Sequence, residues 1–336
     1  MIAALAAAVP VALQLRTATK LHLEELKSTP EVEKALDQQI REEYGPTHRA
    51  SAAQEAQIQG IMTELKANIP QAAPQAKYVA EKVKIYVVDD DTPYIDSFSS
   101  KPDGKNAILG IVISRGALRN PIDPSQSLNR DELKAVLGHE LAHHLMILDA
   151  DMHTNPKVRY LDEDKRFAPS SKQFFEEYDR LADKLKKNPL TPEEKKDMEG
   201  IQPPLTPKEK QQYIEDAVQN KLSTFAGEVR ADKLGLWLSG DAVAAGSAER
   251  KLNGLGSAID EDLRKSGQEG VLARPAETVA DPHPSYAARE QERVFTQVDM
   301  KTAERAKNAH HHTTPQKPAD TPKSATPQKQ GAVHQP

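Results

Sequence analysis

Apolar positions along most of this chain recur at the three- and four-residue spacing of helices, and strand character is concentrated in two places. Residues 83–88 (VKIYVV) and 107–113 (AILGIVI) are runs rich in β-branched residues, bounded by Asp, Gly, Ser or Pro clusters. They read as strands, and the stretch from Asp89 to Asn106 between them as a loop or hairpin connection. Two or three strands are not stable alone, so they must pack on helices. Residues 20–70 read as two mostly polar helices. The first opens at Thr29-Pro30-Glu31, with Thr as N-cap and Pro at the first helical position, and ends at Gly45-Pro46. A long helix is expected from about Asn129 to Ala150, with Glu132 reaching back to Asn129 in a capping box. Its Leu137, Leu141, Leu145 and Leu148 fall on one stripe, so that side should be buried.

Residues 155–205 form a charged, proline-punctuated insert. Thr191-Pro192-Glu193-Glu194 and Thr206-Pro207-Lys208-Glu209 are both capping boxes with Pro at the first position. The second should open a long helix running to about Leu238, followed by one over about 241–265 and a last one starting near Ser285. The pattern yields one folded body over 21–300. From about Asn308 the chain is rich in Pro, Lys and Gln with almost no large apolar residues, so residues 308–336 read as a disordered tail. Its adjacent His310, His311 and His312 read as solvated. The first fifteen residues are apolar but too short for a comfortable bilayer span, and Pro10 interrupts them. Residues 1–20 therefore read as a signal peptide, with Ala6-Ala7-Ala8 for cleavage, or as an apolar helix packed on the core; no Lys or Arg precedes the run. Export to the periplasm or another extracytoplasmic space follows from the first reading, a cytoplasmic place from the second.

Composition narrows the chemistry. Aromatic residues make up 4% and charged residues 28% of the 336 residues, so sizeable solvated stretches are expected. The net charge of -5 comes from interspersed signs, without the basic footprint of a nucleic-acid binder. No cysteine is present, which removes disulfides, thiolate metal sites and thiol nucleophiles together. A transition metal must then rest on His and carboxylate ligands.

Such ligands occur in Gly138-His139-Glu140-Leu141-Ala142-His143, an HExxH within the long helix. At about 100° per residue, His139 and His143 lie about 40° apart and one turn apart, so both rings can reach one Zn²⁺. Glu140 sits on the shoulder of that face, able to touch the metal's water without ligating the metal. A catalytic zinc takes three protein ligands and keeps one position open. The candidate third ligand is Glu228. Val218, Leu222, Phe225, Val229 and Leu236 form an apolar stripe broken once, at Asp232, and Glu228 lies one turn earlier at its edge. Carboxylates at the margin of a buried face need a cation or donors. Zinc for Glu228 and a histidine N–H for Asp232 would satisfy both; ordinary salt bridges to Arg230, Lys233 or the insert would do so too.

These residues resemble gluzincin peptidases of the HtpX, CAAX prenyl protease and Oma/BepA type. That family carries HExxH, then Glu-x-x-x-Asp on a later helix, then His-Pro followed by Arg. Here Glu228-x-x-x-Asp232 and His283-Pro284-Ser285-Tyr286-Ala287-Ala288-Arg289 follow in that order. Gly110 to Leu118 (GIVISRGAL) resembles the family's strand and Arg-Gly segment. Where the family often has Asn-Ala-Phe-Ala, this chain has Asp96-Ser97-Phe98-Ser99, and the membrane helices of some branches are missing. The resemblance implies Glu228 as third ligand, Asp232 as the orienter of a zinc histidine, and His283 and Arg289 as groups near the reacting carbonyl. Taken alone, His283 between two prolines reads as a rigid turn residue and Arg289 as a surface arginine.

The expected fold is α+β and predominantly helical, zincin-like, with a small antiparallel sheet packed on the HExxH helix. The expected function is a zinc-dependent metalloendopeptidase with one Zn²⁺ per chain, acting on protein or peptide substrates with Glu140 as general base. A strand such as 107–113 would offer its edge to an extended peptide. The rival readings are a non-catalytic, zinc-containing chaperone-like protein and an interaction scaffold with a coincidental HExxH.

Overall fold

The computed structural model describes residues 29–48, 50–69, 74–91, 93–100, 107–119, 127–152, 171–252 and 283–313, with the single positions 26 and 124. The chain divides into two compact units, Met1–Asp299 and Met300–Pro336. Every candidate site residue belongs to the first.

Helix α1 (Pro30–Glu43) starts where the Thr29-Pro30 signal lies, and the Thr29 hydroxyl accepts the Val32 N–H. Helix α2 (Ala52–Ala67) opens with a Ser51/Gln54 capping box, and α3 (Pro74–Lys82) leads into the sheet. Three strands follow: β1 (Val83–Val88), β2 (Ile95–Ser100) and β3 (Ile108–Ser114). A single turn, α4 (Arg115–Leu118), precedes the long helix α5 (Arg130–Met152). Its predicted capping box is formed: Asn129 Oδ1 accepts the Glu132 N–H, and Glu132 accepts the Asn129 N–H at 2.8 Å. The insert contributes α6 (Lys172–Lys187) and α7 (Pro192–Gly200). Helix α8 (Pro207–Ser239) starts at the Thr206 capping box and ends at Gly240, whose φ of +81° an L side chain would resist. Residues 242–252 form helix α9, and α10 spans Tyr286–Thr313. Helix α10 thus continues into the stretch expected to be a tail. The N-terminal apolar run (1–20), residues 153–170 of the insert, the far end of the helix expected to 265 and residues 314–336 lie outside the described residues. Among the described residues no helix is long and apolar enough to cross a membrane.

The fold is α+β and mostly helical, as expected, but the sheet is mixed. The strand order is β1-β3-β2, with β1 parallel and β2 antiparallel to β3. Strand β2 was read as part of a connection because IDSFSS carries only two large apolar residues. Its side chains are mostly half-exposed, as on an edge strand. The order also overturns the expectation that 107–113 offers an edge. Strand β3 has a neighbour on both sides and is buried at every position, so no peptide can pair with it. The outer edge of β1 is partly closed, since His48 N–H donates to the Val87 carbonyl and Asp89 N–H to that of Pro46.

Helix layers cover both faces of the sheet. Val32, Leu36 and Ile40 of α1 pack with Val88, Ile108 and Val112. On the other face Leu109, Ile111 and Ile113 meet α2, α3 and the leucine stripe of α5. Leu137, Leu141 and Leu145 are at most 2% exposed, each contributing about 2 kcal/mol from burial. His144 adds a polar anchor: its Nε2–H donates to the Gly110 carbonyl of β3 at 2.9 Å. With its leucine side on the sheet and its rotation fixed by His144, α5 turns His139 and His143 away from the sheet.

Candidate metal centre

What faces those histidines is α8, and two glycines set how closely. A Cβ on Gly235 would lie 2.7 Å from the backbone N and Cα of His139, and one on Gly138 would lie 2.9 Å from the Gly235 carbonyl oxygen. Only glycine on both helices permits this crossing. It carries Glu228 and Asp232 of α8, one turn apart, to the two histidines.

His139 Nε2 and His143 Nε2 stand 3.0 Å apart, with their rings edge to face. The Glu228 carboxylate bridges them, each oxygen 3.4 Å from one of the two nitrogens. Four ligands at about 2.1 Å in a tetrahedron sit about 3.4 Å from one another, so this triangle matches a zinc-sized ion. Among the described residues, this is the group whose ligand atoms converge closely enough to hold a metal. Two imidazoles and one carboxylate are also the donor set of hydrolytic zinc sites, with room for one more ligand.

The neighbours order the triangle. Asp232 Oδ1 lies 2.9 Å from Nδ1 of His139, the ring nitrogen facing away from Glu228. That leaves Nε2 to face the centre. Arg289 of α10 binds Asp232 through two parallel bonds of 2.6 Å, from Nε to Oδ2 and from a terminal nitrogen to Oδ1. Arg289 thus grips the carboxylate that stands behind His139. His283, just ahead of α10, has Nε2 3.6 Å from Glu228 Oε1 and is about a third exposed, at the rim of the triangle. Lys233, one of the alternative salt-bridge partners, is buried against Glu292 of α10 at 3.4 Å.

Glu140 Oε1 lies 4.0 Å from His139 Nε2, while Oε2 is buried without a hydrogen bond. Burial raises the Glu140 pKa, against the pull of His139 and His143. Burial would also raise Glu228 and Asp232, but the two histidines and Arg289 respectively hold these carboxyls well below their ordinary values. At His139 burial lowers the pKa, and the Asp232 and Glu228 carboxylates outweigh it and raise it.

Residues 59–154 match the family model described as Peptidase family M48. The match, over less than a third of the chain, supports the M48 gluzincin family. The matched segment takes in the second half of α2, α3, the sheet and HExxH, and ends before Glu228. No curated protein and no solved structure matches the chain. The likeness to M48 peptidases points to a metal-dependent hydrolase of peptide bonds.

The residues that sequence reasoning missed are Gly235, His144, Glu249 and Arg293. Arg293 forms an ion pair with Glu249, which also reaches Arg289 at 3.4 Å. Gly235 had a faint signal, a glycine on an apolar helix face; nothing local marks the others.

Proposed function

We propose that this chain is a zinc-dependent metalloendopeptidase in which His139, His143 and Glu228 hold the ion, Glu140 is the general base and Asp232 orients His139. The observation that carries this is the triangle of 3.0, 3.4 and 3.4 Å with a buried carboxylate one residue along from its first member. Zinc in such a site supplies a Lewis acid that lowers the pKa of water to about 7 and polarises a carbonyl. Glu140 takes the proton of the attacking water and delivers it to the departing amine, a role that suits a carboxyl whose pKa is raised by burial. His283 faces the same space and offers a donor to the developing oxyanion. Arg289 keeps Asp232 ionised and aimed at His139.

Strand β2 is the place for an extended substrate. It has β3 on one side, packs along α5, and its Asp96 lies close enough to act on Glu140 electrostatically. A peptide adding to its outer edge would use backbone bonds common to all sequences, the recognition suited to unfolded protein chains. The apolar N-terminal run supports an extracytoplasmic place of action.

Glu140→Gln keeps the shape of the site and removes the base. The zinc-loaded protein should cleave an unfolded test protein such as casein, lose that activity to a chelator and regain it with zinc. E140Q should bind zinc as tightly and cleave at least a thousandfold more slowly. Cleavage by E140Q at the wild-type rate would refute the base assignment. Stoichiometric zinc with no cleavage by the wild type would favour the chaperone-like reading.

A further inference from the structure

The charged insert is tied to α10 and the His283 segment by three hydrogen bonds at two places that mirror each other. Ser285 is the N-cap of α10: its hydroxyl accepts the Ala288 N–H and its carbonyl accepts the Arg289 N–H. Its own N–H and O–H both donate to the Glu177 carboxylate on α6, the first at 2.9 Å. Ser171 is in turn the N-cap of α6, with its hydroxyl accepting the Phe174 N–H. Its N–H donates to Glu292 of α10. Each helix thus holds the other's cap through a carboxylate. At a rise of about 1.5 Å per residue, Ser171 and Glu177 are about 9 Å apart along α6, and Ser285 and Glu292 about 10.5 Å along α10. Two ties so spaced, running in opposite sequence directions, fix both the translation and the rotation of α10 against the insert.

Two details show what this registration serves. Glu292 is fully buried and also meets Lys233, which follows Asp232 on α8. Helix α6 itself rests on α8 through Phe174, Leu181 and Leu185 against Phe225 and Val229, the residues flanking Glu228. The tie at Ser285 lies two residues after His283, whose Nε2 is 3.6 Å from Glu228 Oε1. Glu177 touches no ligand and stands on the segment whose purpose composition alone left open.

We propose that Glu177 is a positioning residue: through Ser285 it sets where the His283 imidazole stands over the metal centre. The inference rests on the peptidase reading and deepens it. The insert is then a built part of the active site.

The experiment uses the full zinc-loaded chain and the variants E177A, E177Q, H283A and E177A/H283A. On a quenched fluorescent peptide, E177A should lower kcat roughly tenfold, as a displaced catalytic group does, with KM and zinc content unchanged. E177Q retains one acceptor and should fall between E177A and wild type. In the H283A background E177A should add nothing, because the group it positions is gone. An unchanged kcat in E177A, or an equal loss with and without His283, overturns the proposal. A second readout does not need activity. Diethyl pyrocarbonate should modify His283 several-fold faster in E177A than in wild type, with His48 as the internal reference. Equal rates overturn the proposal even if the protein cleaves nothing. Faster modification in a protein that cleaves nothing would leave the placement standing and refute the peptidase reading.

Discussion

At the scale of single residues, the site depends on carboxylates whose neighbours keep them charged. Asp232 is the clearest case: His139 on one side and two Arg289 bonds on the other outweigh its burial. Removing the arginine leaves a buried anion without its main partner. Arg289→Ala should therefore weaken zinc binding by about 10- to 100-fold, the range seen when the support of a ligating histidine is lost, measurable by competition with a chromophoric chelator. Unchanged affinity would mean that Asp232 does not need it. Glu132 makes the same argument away from the metal. It accepts the Asn129 N–H, the Ser247 hydroxyl at 2.6 Å and Lys251 at 2.8 Å. Burial would raise its pKa, but Lys251, Ser247 and the Asn129 N–H prevail and lower it from 4.5. A lowered folded pKa means the stabilisation is complete above about 4.5 and fades as pH falls through the folded value. Glu132→Ala should cost about 2 kcal/mol at pH 7. The gap between wild type and variant should narrow below pH 4 in thermal unfolding. A gap constant from pH 7 to pH 3 would contradict the pairing. Asp232 and Glu132 were both legible in the sequence, one as a break in an apolar stripe and the other as a capping partner, because each signal is local.

At the scale of elements, the crossing of α5 and α8 makes the site, and it was not legible. Helix starts were, since Thr29, Asn129, Thr191 and Thr206 each announce themselves within four residues. A crossing distance depends on residues 97 positions apart, Gly138 and Gly235, and neither one alone says what it will meet. Gly235→Ala should push the helices apart, cost about 1–3 kcal/mol and remove most of the bound zinc. The neighbouring Gly227 is a control, as a Cβ there meets nothing within 4 Å. Gly227→Ala should keep full zinc and gain up to about 1 kcal/mol from helix propensity. Thermal melts and metal content on the pair test both; equal behaviour would rule out close approach as the reason for Gly235. The pairing within the sheet and its third strand failed to show themselves for a related reason. Parallel pairing of β1 with β3 and the edge position of β2 are decided by what packs above and below them, and the polar pattern of Ile95–Ser100 reads locally as loop.

At the scale of the whole molecule, four helices meet around one triangle of ligand atoms: α5 and α8 supply it, while α6 and α10 hold its surroundings through Glu177, Ser285, Glu292 and Arg289. The motif and its third ligand could be found from sequence because helical spacing and a misplaced carboxylate point to them. The insert's part could not, because Ser171 and Ser285 look like any other helix caps until their partners are seen. Ligation couples this arrangement to folding. Zinc at a thousandfold its Kd should raise stability by about 4 kcal/mol over the metal-free chain, and His139→Ala should erase that increment. Diffraction from the zinc-loaded protein on both sides of the zinc absorption edge tests the ligand set most directly. A single anomalous peak should lie roughly 2.0–2.2 Å from His139 Nε2, His143 Nε2 and a Glu228 oxygen. A peak away from α5, or one that leaves out Glu228, would contradict it.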